Sequence, residues 1–352
     1  MADNKDKKVL NVPALRFPEF SGEWDEYAIG EILSIGNGRD YKHLHNGDIP
    51  VFGTGGYMTS VDDFLYDGES VFVGRKGTIN KPLYYNGKFW TVDTLFYTYN
   101  FTDVLPKFVY CLFQTINWLK YNEASGVPSL SKATIEKIKV RIPSMDEQDK
   151  LSNLLFLLDK RIEVQNKIIE KLETLIKGII ETVISLQKPN TFIKDCLECN
   201  SSILQESQVA EYGASPVYGA TGITGYTEAA DVNGESILII KDGSGVGTVK
   251  YVTGEYSYIG TLNRLIAKDG YYLKYIYFAL QGFSFEPYKT GMAIPHIYFK
   301  DYGKAKIFCP TIEKQSAIAQ KLSSTEDKVS VEKQILFYYQ VQKSYLLSQM
   351  LI

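Results

Sequence analysis

The chain has 352 residues, of which 45% are hydrophobic and 22% charged, and these proportions exclude an intrinsically disordered protein. Its formal net charge of −3 at pH 7 lacks the positive excess that is typical of a free-standing DNA-binding domain. No apolar run reaches the ~20 residues of a membrane span, and residues 1–8 lack the apolar segment of a signal peptide. We therefore expect a cytoplasmic protein that does not associate with membranes.

The first half of the chain divides into a leader, a globule and a long helix. Residues 1–16 have the composition of a solvated leader, and residues 17–145 contain the short β-branched and aromatic runs between glycine turns that are typical of an α/β globule. Strands are predicted at 49–52, 70–73, 83–85 and 94–97, and helices at 107–119 and 134–138. Residues 146–187 follow as one helix of roughly 60 Å, which is longer than a compact domain requires.

Apolar residues recur along this helix in alternating steps of four and three, which is the heptad pattern of a coiled coil. The seam consists of Leu151, Leu155, Leu158, Ile162, Gln165, Ile169, Leu172, Ile176, Ile179 and Val183. A strict heptad over this length favours a partner helix over the alternative, a single amphipathic helix packed on a globule. Residues 188–310 are a second α/β globule, and residues 311–352 are a second long helix that can supply the partner. Its seam is less apolar and consists of Ile318, Leu322, Thr325, Val329, Glu332, Leu336, Tyr339, Lys343, Leu346 and Met350.

The two halves of the chain repeat each other at an offset of 166 or 167 residues. Residues 50–53 (Pro-Val-Phe-Gly) match residues 216–219 (Pro-Val-Tyr-Gly). The other matched pairs include Gly68 with Gly234, Gly87 with Gly254, Thr94 with Thr261, Pro128 with Pro295 and Gln148 with Gln315. The sequence is therefore a tandem duplication. We predict an α+β fold in which two pseudo-symmetric α/β globules are separated by a pair of long coiled-coil helices.

Two related globules on paired helices would hold two recognition surfaces at a fixed spacing. Such an arrangement suits a bipartite linear target such as DNA, in which half-sites one helical turn apart lie ~34 Å from each other. Residues 17–145 carry 12 basic and 15 acidic side chains, and residues 188–310 carry 11 and 12. Any contact with DNA must therefore depend on local clusters of cations or on other subunits.

Cations in the glycine-rich loops are the candidate DNA contacts, because Arg can bind guanine bidentately and Lys can hold a phosphate. The candidates are Arg39, Lys42, His43, Arg75, Lys76 and Lys81 in the first globule, and Lys241, Lys250, Arg264, His296 and Lys300 in the second. Each of them taken alone could be an ordinary solvated loop cation. Arg75 and Lys241 stand out because they follow equivalent strands of the two repeats.

Catalytic motifs are absent from the sequence. The stretches Phe52-Gly-Thr-Gly55 and Gly243-Ser-Gly-Val-Gly247 resemble cofactor loops, but neither precedes a predicted helix, whose N-terminus would be needed to bind a phosphate. There is no methyltransferase substrate box and no ATP-binding P-loop, and the isolated Cys196-x-x-Cys199 has no second pair at zinc-finger spacing. We therefore predict no catalytic residue, no metal site and no cofactor in this chain.

Several segments resemble one known family, the specificity (S) subunits of type I restriction-modification enzymes. They are 16–24 (Arg-Phe-Pro-Glu-Phe-Ser-Gly-Glu-Trp), 125–132 (Ser-Gly-Val-Pro-Ser-Leu-Ser-Lys) followed by Ile142-Pro143 and Glu147-Gln148, the repeat of these at 290–295 and 310–315, and the ending 342–350. Each motif is loose, but their double occurrence in order makes the similarity specific.

The resemblance implies two target recognition domains, each reading one half of an interrupted double-stranded DNA sequence. It also implies antiparallel pairing of the helices, whose length sets the gap between the half-sites. The implied partners are two methyltransferase subunits, which hold S-adenosylmethionine and methylate adenine N6, and two restriction subunits, which use ATP and Mg²⁺ for translocation and cleavage.

Two other functions stay open at this point. One is a fused methyltransferase or nuclease with its own activity, which would require catalytic boxes that the sequence lacks. The other is a coiled-coil scaffold that displays two protein-binding modules, which would fit the acidic charge balance.

Overall fold

The computed structural model describes residues 11–352, which form two compact units. The first unit contains the described residues up to Asn166 together with Ile335–Ile352, and the second contains Lys167–Gln334. Each unit combines a sheet-rich globule with one segment from each of two long helices. The predicted mixed α/β architecture with two globules and two long helices is confirmed.

The first globule contains a six-stranded sheet and a separate pair of strands. The strands of this globule are β1 (Asp25–Ala28), β2 (Ser34–Asn37), β3 (Asn46–Gly53), β4 (Gly56–Val61), β5 (Tyr66–Gly74), β6 (Leu83–Thr91), β7 (Leu95–Tyr99) and β8 (Lys139–Ile142). Its helices are α1 (Ile29–Ile32), α2 (Pro106–Phe113) and α3 (Lys132–Glu136), with a 3₁₀ turn at Trp118–Tyr121. Strands β2, β7, β5, β6, β3 and β4 lie side by side in that order, and β1 pairs antiparallel with β8. All the strands predicted in this globule are present, most of them longer than expected.

The helix predicted over residues 107–119 is shorter than expected, because α2 ends at Phe113. The buried indole of Trp118 turns back and donates a hydrogen bond of 2.8 Å to the carbonyl of Phe113. This contact satisfies one of the terminal carbonyls that a helix leaves without an intrahelical partner. The chain then continues as a 3₁₀ turn.

The second globule repeats the first with a more divided sheet. Its strands are β9 (Thr191–Phe192), β10 (Leu197–Ser201), β11 (Ser215–Gly219), β12 (Gly222–Thr227), β13 (Val232–Asn233), β14 (Ser236–Ile240), β15 (Val249–Val252), β16 (Glu255–Tyr258), β17 (Leu262–Ala267) and β18 (Lys306–Ile307). Its helices are α5 (Ile193–Cys196), α6 (Leu273–Gln281) and α7 (Phe299–Tyr302), with 3₁₀ turns at Glu206–Gln208 and Glu286–Tyr288. One sheet has the order β10, β17, β14, β15, another has the order β12, β11, β16, β13, and β9 pairs with β18.

The duplication is visible in the backbone of the two globules. The β3–β4 and β11–β12 hairpins both carry a bulge, after Val51 in the first and after Val217 in the second. The first strand of each hairpin also has a parallel neighbour, β6 in the first unit and β16 in the second. A bulge at the same repeat position bends both strands alike, so the two copies share geometry as well as sequence spacing.

Two long helices complete the fold. Helix α4 spans Met145–Ile179 and continues as a π-helical turn over Ile180–Ser185, and α8 spans Ile312–Met350. The predicted seam of α4 is confirmed for most of its length. Its buried members are Leu151, Leu155, Leu158, Gln165, Ile169 and Ile176.

The last two predicted seam positions of α4 are wrong. Ile180 and Ile184 are buried there, in place of Ile179 and Val183, and Val183 is 37% exposed. An α-helix drifts away from a strict heptad by about 20° per repeat, and the π-helical turn adds residues to each turn. Side chains four apart therefore share the inner face at this end of the helix.

Within each unit the two helix segments run antiparallel. In the first unit Asp159 forms an ion pair with Lys343, and the guanidinium of Arg161 lies 6.0 Å from the centre of the Tyr339 ring. In the second unit Glu173 Oε1 lies 2.6 Å from Lys333 Nζ, and further along α4 Ile176 lines the same cavity as Val329. In both units, residues later in α4 lie beside residues earlier in α8, as the predicted antiparallel pairing requires.

A buried glutamine fixes the start of each long helix to the globule of its own unit. The Gln148 amide accepts a hydrogen bond of 2.8 Å from the backbone N–H of Leu105 and donates one of 2.9 Å to the Pro143 carbonyl. Gln315 accepts from the backbone N–H of Tyr272 at 3.0 Å and donates to the Pro310 carbonyl at 2.8 Å. Leu105 and Tyr272 both directly precede a helix of their globule. Gln148 and Gln315, which match in the sequence repeat, therefore also make equivalent contacts in the structure.

The described part of the expected leader, residues 11–16, packs against the first unit, which differs from the solvated leader expected. Arg16 forms a bidentate ion pair with the buried carboxylate of Glu147, with both N–O distances 2.7 Å. Leu15 donates its backbone N–H to the Gln349 carbonyl at 2.9 Å. The remaining leader residues, 1–10, lie outside the described residues.

The polar seam residue Lys343 gives a test of the helix pairing. Its ammonium contacts Asp159 and lies 2.7 Å from Gln114 Oε1, and within the described residues Oδ2 of Asp159 is buried without a hydrogen-bond partner. Lys343→Ala should therefore lower the free energy of unfolding by about 2–4 kcal/mol, because it leaves a largely buried carboxylate unpaired. Urea unfolding measures this change.

The matched control is Lys333→Ala, because its ion pair with Glu173 is more exposed and should contribute less than about 1 kcal/mol. The double variant Asp159→Leu with Lys343→Met should recover most of the loss, since it removes both charges. Equal losses for Lys343→Ala and Lys333→Ala would contradict the assignment.

Candidate nucleic-acid interface

In the first unit backbone hydrogen bonds hold the loop after β5, and three of them recur in the second unit. Arg75 donates its N–H to the Thr94 carbonyl at 2.8 Å, and its own carbonyl accepts from Leu130 at 2.9 Å. Gly77, which has a positive φ of 89°, donates to the Pro128 carbonyl at 2.8 Å. The exposed side chain of Arg75 is therefore carried on a fixed backbone.

The second unit repeats these three bonds around Lys241. Lys241 donates to the Thr261 carbonyl at 3.0 Å, and its carbonyl accepts from Ile297 at 2.9 Å. Gly243, with a φ of 101°, donates to the Pro295 carbonyl at 2.9 Å. The structure thus brings Arg75 and Lys241 to equivalent positions, as their places in the repeat indicated, although Lys241 is half-buried and Arg75 is exposed.

Arg75 lines an open cavity of about 490 Å³. The charged residues around it are Arg75, Lys76, Asp93, Glu123 and Lys132. Glu123 is bound to the start of α3, where hydrogen bonds from Thr134 and Ser131 lower the pKa of its carboxyl group. The cations at this rim outnumber the acids, although the globule as a whole is acidic. Lys132 was missed as a contact candidate, even though the 125–132 motif contains it.

Arg39, Lys42 and His43 form a separate group beside the end of β6. The Trp90 indole donates to the Arg39 carbonyl at 2.8 Å, and the His43 ring lies edge-on to the Trp90 ring at 5.8 Å. All three candidates are exposed. Lys81 is also exposed, in the loop between β5 and β6, but it does not line the Arg75 cavity.

The remaining candidates of the second unit occupy different environments. Arg264 is half-buried in β17, where its Nε donates to Ser236 Oγ at 2.7 Å, so the sheet already uses part of its guanidinium. Lys250 is exposed in β15, with its ammonium 4.6 Å from the centre of the Tyr218 ring. His296 and Lys300 both lie against the Tyr298 ring, at 5.3 and 5.2 Å. The structure therefore brings His296 and Lys300 together, and places Arg264 within the sheet.

The glycine-rich stretches that resembled cofactor loops are turns between strands. Residues 54 and 55 connect β3 to β4, and the stretch Gly243–Gly247 leads into β15. The expectation that no helix follows them is confirmed. Among residues 11–352 there is no cluster of three or more His, Cys, Asp or Glu side chains that could hold a metal ion, and no helix long and apolar enough to cross a membrane.

A family model described as the type I restriction modification DNA specificity domain matches this chain twice, over residues 21–174 and 190–337. The chain belongs to this family. The two matches cover the two sheet-rich globules and extend into the long helices, so the specificity protein has two target recognition domains. The resemblance read from the 16–24 and 125–132 motifs is confirmed.

Two solved structures show the same fold. The S subunit of the type I restriction-modification system from M. genitalium aligns over 97% of this chain and 99% of that chain, with a TM-score of 0.76 and 18% identity. A second structure comes from work on the complex assembly and conformational transition of the type I R-M system. It aligns over 93% of this chain and 96% of that chain, with a TM-score of 0.53 and 12% identity. A comparison with curated proteins gave no match.

Proposed function

We propose that this chain is the DNA-recognition subunit of a type I restriction-modification complex, and that each target recognition domain reads one half of an interrupted double-stranded DNA site. The observation that carries the proposal is the repeated loop, in which Arg75 and Lys241 make the same two backbone hydrogen bonds and the glycine two positions later makes a third. One scaffold that presents different side chains at matched positions suits two half-sites of related shape and different sequence. Membership of the specificity family supports the same function.

Exposed apolar residues on α4 in each unit suit the binding of partner subunits. In the first unit they are Leu157 and Val164, with Arg161 between them, and in the second they are Ile168 and Leu175, with Lys171 between them. Within each unit these residues follow steps of four and three, so they lie on one side of the helix and can receive another helix. We propose two methyltransferase subunits and two restriction subunits as partners. Their basic surfaces would supply the phosphate contacts that the acidic globules lack.

Catalysis in this proposal belongs to the partners. The methyltransferase subunits would bind S-adenosylmethionine and methylate adenine N6, and the restriction subunits would bind ATP and Mg²⁺. The glycine-rich loops of this chain lead into strands and provide no helix N-terminus for a phosphate. We propose a non-catalytic subunit that works in the cytoplasm.

Binding of the reconstituted complex to duplex libraries tests this function. The full chain with its methyltransferase subunits should select a bipartite site, need both halves, and lose affinity steeply as salt rises, because phosphate contacts release counterions. Selection of a single uninterrupted site, or binding indifferent to one half, would contradict the proposal. Methyl transfer by the purified chain alone would instead support the fused-enzyme reading.

Arg75 should read a base in one half-site. Arg75→Ala is expected to weaken binding by ~1–3 kcal/mol and to relax one position of that half only, because a bidentate contact with guanine is lost. Arg75→Lys should behave similarly, since Lys keeps the charge but not the planar fork. Titration of each single-base variant of the site measures both effects.

The control is Lys139→Ala, which removes an exposed cation of β8 that pairs with Glu26, and it should leave sequence selection unchanged. If Arg75→Lys bound like the unaltered chain, Arg75 would hold a phosphate and would not read a base.

The length of the helix pair should set the gap between the half-sites. Seven residues inserted at matched positions of α4 and α8 add about 10 Å of helix, which corresponds to roughly three base pairs at ~3.4 Å each. Sequencing the sites selected by this variant should show a gap that is longer by that amount. Insertion into α4 alone should abolish assembly because it displaces one seam against the other. An unchanged gap after matched insertion would show that the helices do not set it.

A further inference from the structure

Each unit presents exposed apolar side chains at the tip of a loop beside the repeated position of Arg75 and Lys241. Val127 is 62% exposed in the first unit, and Ile294 is 64% exposed at the matched position of the second. Met292, two residues before Ile294, is fully exposed. Val127 directly precedes Pro128, and Ile294 directly precedes Pro295, the two residues whose carbonyls fix the loops of Arg75 and Lys241. The sequence offers a signal for these tips, which is a glycine followed within three residues by an apolar residue that directly precedes a proline.

The second tip has a defined backbone. Thr290 and His296 exchange two backbone hydrogen bonds, of 2.9 and 2.8 Å, which close the loop between them. Gly291 has a φ of 87°, and a Cβ atom there would lie 2.3 Å from the Ile294 carbonyl oxygen. Only glycine fits this position without strain, so the loop that carries Met292 and Ile294 is closely constrained.

The first tip is held by a side chain. The Asn122 amide oxygen accepts hydrogen bonds from the backbone N–H groups of Ala124 at 3.1 Å and Ser129 at 2.9 Å. Its amide nitrogen donates to the Ala124 carbonyl at 2.7 Å. Glu123 also donates its N–H to the Ser129 carbonyl at 3.0 Å. Val127 lies at the top of this closed loop.

Lysines lie beside both tips, together with acidic residues. Lys76 forms a β-bridge with Ser129, and Lys132 lines the same cavity as Arg75. In the second unit Asp242, the neighbour of Lys241, forms a β-bridge with His296, and Lys300 follows on α7. An exposed apolar side chain with a lysine beside it suits a target whose rim is anionic and whose interior is apolar. Duplex DNA has this character, since phosphates flank a groove that contains base edges and thymine methyl groups.

We propose that Val127 in the first unit, and Met292 with Ile294 in the second, contact thymine 5-methyl groups in the half-sites, and so determine sequence together with Arg75 and Lys241. This inference rests on the proposed DNA-recognition function. A constrained loop favours such a contact, because few degrees of freedom are lost when the side chain is buried against the base. The second tip has three residues between its glycine and its proline and the first has one, so the second reaches further and carries two apolar residues.

Exchange of thymine for uracil tests the contact on the unaltered chain. Every half-site that contains a methylatable adenine also contains thymine, and deoxyuridine lacks only the 5-methyl group. The complete complex is titrated with duplexes in which one thymine at a time is replaced. Affinity should fall roughly fourfold at one or two thymines in each half-site, which is the effect of losing one buried methyl group. If no replacement in either half changes affinity, the inference is wrong.

Variants then connect each thymine to its tip. Met292→Ser with Ile294→Ser should remove the uracil effect in one half-site, and Val127→Ser should remove it in the other. The control is Leu186→Ser, which alters an equally prominent apolar side chain beyond the π-helical turn and should keep both effects. Thermal unfolding of each variant shows whether the fold is retained. If a variant unfolds, the inference is judged from the uracil scan of the unaltered chain alone.

The outcomes separate this inference from the proposed function. The contact is supported if each tip variant removes the effect of uracil on affinity in one half-site only. Equal weakening at all sequences, or loss of a protein partner with unchanged uracil effects, would overturn it while leaving bipartite recognition in place. Failure of the unaltered complex to select any bipartite site would instead remove the proposed function itself.

Discussion

The apolar seam of α4 is buried by α8 and by the globules together. In the first unit Leu155 shares one core with Met350 and Leu351 at the end of α8 and with Phe108 of the globule. In the second unit Ile176 lines the same cavity as Val329 of α8, and Ile180 lies beside Gly282 at the end of α6. Leu155 and Leu158 are buried in one unit, and Ile176 and Ile180 in the other, so a single continuous helix contributes to two cores. Burial of such seams is the dominant stabilising term for long helices, which are marginal in isolation. The ion pairs of Asp159 with Lys343 and of Glu173 with Lys333 match the antiparallel direction of this pairing.

The duplicated glutamine links this helix pair to the globules. Gln148 and Gln315 are both buried, and each bonds the backbone just before a helix of its own globule. Buried amides have few alternative partners, so these bonds specify one angle between helix and globule. A fixed angle matters for the proposed function, because the recognition loops can address a rigid duplex only if their orientation is defined.

The two copies differ at a candidate contact position and in the division of their strands. Arg75 is exposed and Lys241 is half-buried on the same backbone, and the long strands β5 and β6 are each divided in the second unit. The division falls at Gly234 and Gly254, whose backbones share a hydrogen bond of 2.9 Å. The matched glycines of the first unit, Gly68 and Gly87, also have a positive φ, which glycine tolerates, but there the strands continue. The scaffold is therefore retained while its edges and loops vary, which is the expected distribution for a recognition protein.

The sequence by itself determined the duplication, the two long helices, most strands and the family, because these depend on local periodicity and on spacing that is read directly along the chain. Tertiary structure alone decided which distant residues meet. Lys132 joins Arg75 at one cavity, Lys343 lies against Gln114, and Ile180 and Ile184 replace Ile179 and Val183 at the inner face. The physical reason is that these outcomes depend on how separate elements pack and on a local change in helix pitch. Neither leaves a signature in the spacing of neighbouring residues.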